Sequence, residues 1–121
     1  MLEQWFFLRD LGFLINFIMR SPFTAIGGEL QRSYAEQQRK LDAGLSKAKP
    51  GESQHQHLRA IDLEFFKDGT WLKVPDNEEA QKEHKEILQR FGNYWESLSP
   101  KNRWGGNFTT IYDPNHFERV K

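Results

Sequence analysis

The succession of predicted helices and strands indicates an α+β fold for this chain of 121 residues. Long apolar segments with helical spacing are separated from short segments with alternating polarity, which are joined by turn residues. No β-α-β repeat is apparent, and a chain of this length forms one hydrophobic core. We therefore predict one compact domain, residues 1–121, with a central and mostly antiparallel sheet flanked by helices.

The first predicted element is an apolar helix over residues 1–20. Charges at Arg9 and Asp10 are atypical of the middle of a membrane-spanning helix. The order of a signal peptide, with a basic start, an unbroken apolar centre and a small-residue cleavage site, is also lacking. We predict a core helix without stable membrane insertion. Because its apolar stripe is wide, a helix that lies on a membrane surface or a partner is the alternative.

The next elements carry recognisable boundaries. Residues 23–31 predict a short strand that leads into a helix, which has a capping box at Ser33 and Glu36 and ends at Gly44. Residues 46–52 predict a surface loop. Residues 60–66 alternate as a strand, with a hairpin turn at 67–70 that returns through Trp71, Leu72 and Val74.

The second half of the chain begins with the clearest helical pattern, over residues 77–95. Its predicted buried stripe consists of Ala80, His84, Ile87, Leu88, Phe91 and Trp95. We interpret His84 as a partly buried histidine with satisfied hydrogen bonds. Residues 104–110 and 116–120 predict two further strands.

Composition excludes several classes of function. Seventeen basic and seventeen acidic residues give a formal charge of zero, so the chain has no basic footprint for nucleic acid. The absence of cysteine excludes a disulfide scaffold and thiolate metal sites. Histidine and carboxylate side chains remain as metal ligands.

Two segments contain such side chains at suggestive spacing. His55 and Asp62 lie in the first segment, and Asp113 and His116 lie in the second. A catalytic zinc ion has three protein ligands and keeps a position open for water, and a spare carboxylate can act as general base on that water. Spacing alone leaves coincidence open, because four histidines and seventeen acidic residues produce some such pairs by chance.

Further segments give this spacing a context. In order they are GELQRSYAEQQ (28–38), GLSK (44–47), SQH (53–55), RAIDL (59–63), FKDG (66–69), YWESL (94–98), WGGNF (104–108) and DPNHFE (113–118). Together they resemble the bacterial zinc D-Ala-D-Ala carboxypeptidase family, and within it the small phage and prophage L-Ala–D-Glu peptidases. The resemblance extends from about Thr24 to Glu118. It implies the fold of the DD-peptidases and Hedgehog proteins.

The resemblance also implies roles for individual residues. His55, Asp62 and His116 correspond to the ligands of a zinc ion (Zn²⁺), and Asp113 corresponds to the catalytic base. Arg32 corresponds to a residue that binds a substrate carboxylate or the developing oxyanion. Weaker roles near the ligands or the substrate fall to Ser53, Gln37 and Trp104.

Each of these residues also has a structural interpretation. His116 would be a packed core histidine, Asp113 would cap a turn, and Trp104 would be a core residue. Ordinary surface or loop roles would apply to Arg32, Gln37 and Ser53. His57 shares a face with His55 in an extended segment, and we expect it near the ligands or in solvent.

These inferences lead to a zinc-dependent endopeptidase that cuts the L-Ala–D-Glu bond of the peptidoglycan stem peptide. We expect a monomer that is made without a signal peptide and reaches the periplasm or cell wall through a holin or another separate route. The alternatives are a D-Ala-D-Ala carboxypeptidase of the same fold and a non-catalytic, zinc-stabilised wall-binding module. Asp113 argues against the last, since a structural zinc site has no use for a spare carboxylate.

Overall fold

The structure is a computed structural model that describes residues 2–28 and 59–121. Several predictions lie outside the described residues, namely the second helix over 33–44, the loop over 46–52, and the roles of Arg32, Gln37, Ser53, His55 and His57.

The described residues form two α-helices, five strands and a 3₁₀ turn. In chain order these are α1 (Leu2–Met19), β1 (Phe23–Gly27), β2 (Ala60–Lys67), β3 (Thr70–Trp71), α2 (Glu78–Ser97), β4 (Asn102–Trp104), the 3₁₀ turn (Gly105–Asn107) and β5 (His116–Arg119). The strands pair antiparallel in the order β1-β2-β5-β4, and β3 pairs with the end of β2. The predicted α+β fold with an antiparallel sheet and flanking helices is confirmed.

The core lies between one face of the sheet and the two described helices. Phe7, Leu14 and Ile18 come from α1, Leu88, Phe91 and Trp95 from α2, and Phe23, Ile61, Leu63, Phe65, Trp104 and Phe117 from the sheet. Along β2 the core residues alternate with Asp62, Glu64 and Phe66, as a strand with one buried face requires. The polar positions of β2 therefore lie on the opposite face of the sheet.

Helix α1 buries one side and exposes the other. Buried Asp10 accepts hydrogen bonds from Arg9 and from Asn102 Nδ2 (3.1 Å), and hydrogen bonds from Arg119 and Lys101 lower the pKa of Glu3 to about 2. These pairs explain how charges are accommodated in an otherwise apolar segment. Trp5, Phe13 and Met19 are exposed on its outer side. In the described ranges, no helix is both long enough and apolar enough to cross a membrane.

Helix α2 begins one residue after the predicted start and ends two residues later than predicted. Asn77 is its cap, since the Asn77 side chain accepts a hydrogen bond from Ala80 N at 2.8 Å. Its buried residues include Leu88, Phe91 and Trp95. Ile87 was wrongly assigned to the buried stripe and is 44% exposed. Gly92 is buried instead, since the Trp104 ring lies directly against it.

The predicted strand over 104–110 is wrong in its bounds. Strand β4 ends at Trp104, and the chain turns at once through the 3₁₀ turn. Close approach explains the change: a Cβ atom at Gly105 would overlap the carbonyl oxygen of Asp113. The hairpin at 67–70 agrees with the prediction, with positive φ at Asp68 (52°) and Gly69 (78°). Its returning strand is only two residues long.

We expect Gly92→Ala to lower the free energy of unfolding by about 1–3 kcal/mol, because the added Cβ overlaps the Trp104 ring in a close-packed core. Gly12→Ala is the matched control, since that helical glycine has no heavy atom within 4 Å of the added Cβ. Alanine there should be neutral or stabilise by up to about 1 kcal/mol. Denaturant unfolding of both variants measures the difference, and equal stability of the two would contradict the packing explanation.

Candidate metal centre

The pairing of β2 with β5 places two of the predicted zinc ligands opposite each other. Asp62 and His116 are direct partners in the antiparallel register. Their neighbours Ile61, Leu63 and Phe117 are buried in the core. Because successive side chains of a strand point to opposite faces, Asp62 and His116 lie together on the other face. His116 Nδ1 is 3.4 Å from Asp62 Oδ1.

The second ring nitrogen of His116 also faces a carboxylate. Its Nε2 is 2.6 Å from Glu118 Oε1, and the carboxylate can only accept, so Nε2 carries a proton. Burial disfavours the charged ring, but the bonds to Asp62 and Glu118, together with the charge of Asp113, raise the pKa of His116 to about 9. Binding of a metal by Nδ1 needs the lone pair of that nitrogen, so zinc binding competes with a proton there.

Asp113 begins a tight turn that ends at His116. Its backbone N–H donates to Gly105 O (3.1 Å), and its carbonyl accepts from His116 N (3.1 Å). Leu63 N donates to Asn115 O at 2.8 Å, which ties the same turn to β2. Asp113 is half-buried. The backbone of Asp113 is thus fixed three residues before His116, and the charge of its carboxylate acts on the His116 ring.

Trp104 supports this turn from inside the core. It is fully buried, and its indole N–H donates to Pro114 O at 2.7 Å. A Cβ atom at Gly92 or Gly106 would overlap its ring, so neither position has room for a side chain. Of the interpretations left open by the sequence, the structure places Trp104 in the core and in contact with the turn.

Tyr112, the residue before Asp113, is anchored to α2. His84 Nε2 lies 3.1 Å from Leu72 O and therefore donates to it, which leaves His84 Nδ1 to accept from the Tyr112 hydroxyl at 2.6 Å. Burial raises the pKa of Tyr112, so its hydroxyl keeps the proton that it donates. The prediction that His84 is a partly buried histidine with satisfied hydrogen bonds agrees with these contacts.

Comparison with known sequences identifies the family. The sequence profile described as D-alanyl-D-alanine carboxypeptidase matches residues 46–119. The chain belongs to the D-alanyl-D-alanine carboxypeptidase family. No curated protein sequence matches it significantly.

Several solved structures share the fold of this carboxypeptidase family member. The Serratia marcescens L-Ala D-Glu endopeptidase ChiX is 21% identical with a TM-score of 0.61, over 94% of this chain and 77% of ChiX. The vancomycin resistance D,D-pentapeptidase VanY in complex with Zn(II) is 20% identical with a TM-score of 0.50, over 95% of this chain and 71% of VanY. Streptococcus pneumoniae DacB is 16% identical with a TM-score of 0.51, over 95% of this chain and 65% of DacB.

The residues present fit a zinc ion. Within residues 2–28 and 59–121, no three His, Cys, Asp or Glu side chains are grouped closely enough to hold a metal. Asp62 and His116 supply an oxygen and a nitrogen donor side by side, and both ligand types suit zinc. Metal-binding histidines typically donate their other ring N–H to a carboxylate, as His116 does to Glu118. His55, the third ligand that the resemblance implies, lies outside the described residues.

Glu118 and Arg103 were not among the site residues predicted from the sequence of this carboxypeptidase family member. Glu118 bonds His116, and Arg103 donates to Glu118 Oε2 through Nε at 3.0 Å. The spacing His116-x-Glu118 within a predicted strand was a usable signal, because residues two apart share a face. Arg103 had no such signal, since its position depends on the register of β4 with β5.

Proposed function

We propose that this protein is a zinc-dependent peptidase that cuts the L-Ala–D-Glu bond of the peptidoglycan stem peptide, in cell-wall lysis or remodelling of the phage endolysin kind. Membership of a peptidoglycan peptidase family is established by the profile match. The observation that carries the proposal is the Asp62–His116 pair, with Asp113 at the start of the turn that ends at His116.

The proposed division of roles follows from the positions of these side chains. Asp62 through its carboxylate, His116 through Nδ1, and His55 would hold the zinc ion. Bound zinc supplies Lewis acidity toward the scissile carbonyl and a lowered pKa for water. Asp113 would accept a proton on its carboxylate and deliver it to the leaving amine. Arg32 would bind a substrate carboxylate or the oxyanion.

The choice of bond is supported by the sequence. The segments YWES (94–97) and WGG (104–106) resemble the phage-type endopeptidases more than the exported carboxypeptidases. An endopeptidase needs a cleft that is open at both ends, whereas a carboxypeptidase needs a cation that clamps the terminal carboxylate. The description of the matching family favours a second candidate, D-Ala-D-Ala carboxypeptidase activity. We place either activity in the periplasm or cell wall, because the substrate lies there.

Digestion of purified Gram-negative sacculi tests the proposal. We expect the zinc-loaded protein to expose new D-Glu amino termini and to leave L-Ala on the muramic acid, which mass spectrometry of the fragments detects. Removal of the metal by a chelator should abolish the cut, and added zinc should restore it. Release of free D-Ala would favour the carboxypeptidase. No release, with zinc bound, would favour the non-catalytic module.

A further inference from the structure

Glu118 is a buried carboxylate that the proposed reaction does not use. Strand β5 places it two residues after His116, on the same face of the sheet. Its Oε1 accepts the His116 Nε2–H at 2.6 Å, a short and charge-assisted hydrogen bond. Only about 7% of its side chain is exposed, so it does not lie there as a surface charge.

Arg103 holds the other oxygen of the same carboxylate. It is the register partner of Glu118 across β4 and β5, and both its Nε and Nη2 donate to Oε2. The guanidinium carbon lies 5.5 Å from the centre of the Phe108 ring, and the Phe108 and His116 rings are 5.8 Å apart. Arg103 therefore holds the carboxylate oxygen that does not bond His116.

The two nitrogens of His116 are thus distinguished by their surroundings. Nε2 is bonded to Glu118, whereas Nδ1 faces Asp62. A neutral imidazole keeps one N–H and offers a lone pair on the other nitrogen. As long as Glu118 accepts the N–H at Nε2, the lone pair is on Nδ1, next to the second candidate ligand.

We propose that Glu118, anchored by Arg103, is a positioning residue that holds the His116 ring with Nε2 protonated and Nδ1 directed to the metal beside Asp62. This inference rests on the zinc site of the proposed function. It assigns to the Arg103–Glu118 pair a role in metal affinity, through the orientation of one ligand. The pair itself does not touch the metal or the substrate.

The zinc dissociation constant, measured by competition with a chromophoric chelator, is the first test. We expect Glu118→Ala to weaken zinc binding by about 10–100-fold, the usual effect of losing a partner of a ligand histidine. Glu118→Gln should lose less, because an amide oxygen still accepts the N–H. Arg103→Ala removes a half-exposed side chain and should reduce zinc affinity least among the three variants. Glu86→Gln, at an exposed position of α2, is the control and should bind like the wild type.

The second test is the nitrogen signature of His116 in ¹⁵N NMR of the zinc-loaded protein. We expect a protonated Nε2 and a metal-bound Nδ1 in the wild type. In Glu118→Ala we expect a mixture of this state and the reverse one, with a protonated Nδ1 and a metal-bound Nε2. A loss of fold stability alone would not produce that mixture. The circular dichroism spectrum of each variant shows whether it folds. If Glu118→Ala does not fold, Glu118→Gln and Arg103→Ala carry the same test.

The outcomes separate this inference from the proposed function. A wild-type protein without zinc affinity would overturn both. Zinc binding by the wild type, with unchanged affinity and nitrogen signature in the folded Glu118 and Arg103 variants, would overturn the positioning role alone. Binding of zinc through Nε2 of His116 in the wild type would also overturn it, because Glu118 would then have to release that nitrogen.

Discussion

Asp113→Asn is expected to leave zinc bound while turnover falls by about 10²–10⁴-fold, the usual contribution of general acid–base catalysis. The asparagine amide keeps the size of the carboxylate but does not accept a proton at catalytic pH. The turn should persist, because its hydrogen bonds to Gly105 and His116 are made by the backbone of Asp113. Zinc content and initial rates on sacculi, measured on the same preparation, check the prediction.

Two further variants bracket that result. His116→Ala should lose both zinc and activity, since it removes a proposed ligand. Asp68→Asn is the matched control: Asp68 lies in the hairpin turn at a φ of 52°, a conformation that asparagine also adopts readily. It should retain zinc and activity. Equal zinc loss in Asp113→Asn and His116→Ala would make Asp113 a ligand and would reopen the identity of the base.

Gly105→Ala is expected to reduce activity by a factor on the order of 10², the scale on which a shift of about 1 Å disturbs a catalytic arrangement. The added Cβ would overlap the Asp113 carbonyl oxygen and would approach His116 Cβ to 3.0 Å. Because the obstacle is backbone, the turn has to move. We expect weaker zinc binding together with the loss of activity.

The control for this glycine is again Gly12→Ala, which introduces the same methyl group into open space on α1. It should bind zinc and cut sacculi like the wild type. Activity in Gly105→Ala equal to that of Gly12→Ala would show that the turn tolerates displacement, and would contradict the role of the Gly105 contact in placing Asp113.

The elements that local pattern determines were predictable from the sequence. The helix that became α2 has a regular apolar stripe and a capping asparagine, and β2 alternates between core and polar residues. Asp68-Gly69 specifies its hairpin through the positive φ that the turn requires. For the candidate site, the resemblance supplied Asp62, Asp113 and His116, and the register of β2 with β5 brings the first and last together.

Features that depend on packing between distant segments were not predictable. The residues around Trp104 give no local signal that a strand ends there. The strand ends because the Asp113 backbone approaches Gly105. Ile87 fits the helical stripe, yet it is exposed, and the buried face includes Gly92, which lies against Trp104. The bond between Arg103 and Glu118 likewise requires knowledge of which strands pair.

The hydrogen bond from Trp104 to Pro114 has a consequence for how this protein responds to heat and to mutation. The Trp104 indole is part of the hydrophobic core and also bonds the turn that carries Asp113 and His116. We therefore expect this turn to have no melting transition of its own and to lose its geometry when the core loosens. Substitutions far from this turn that disturb the Trp104 ring should lower activity and stability together.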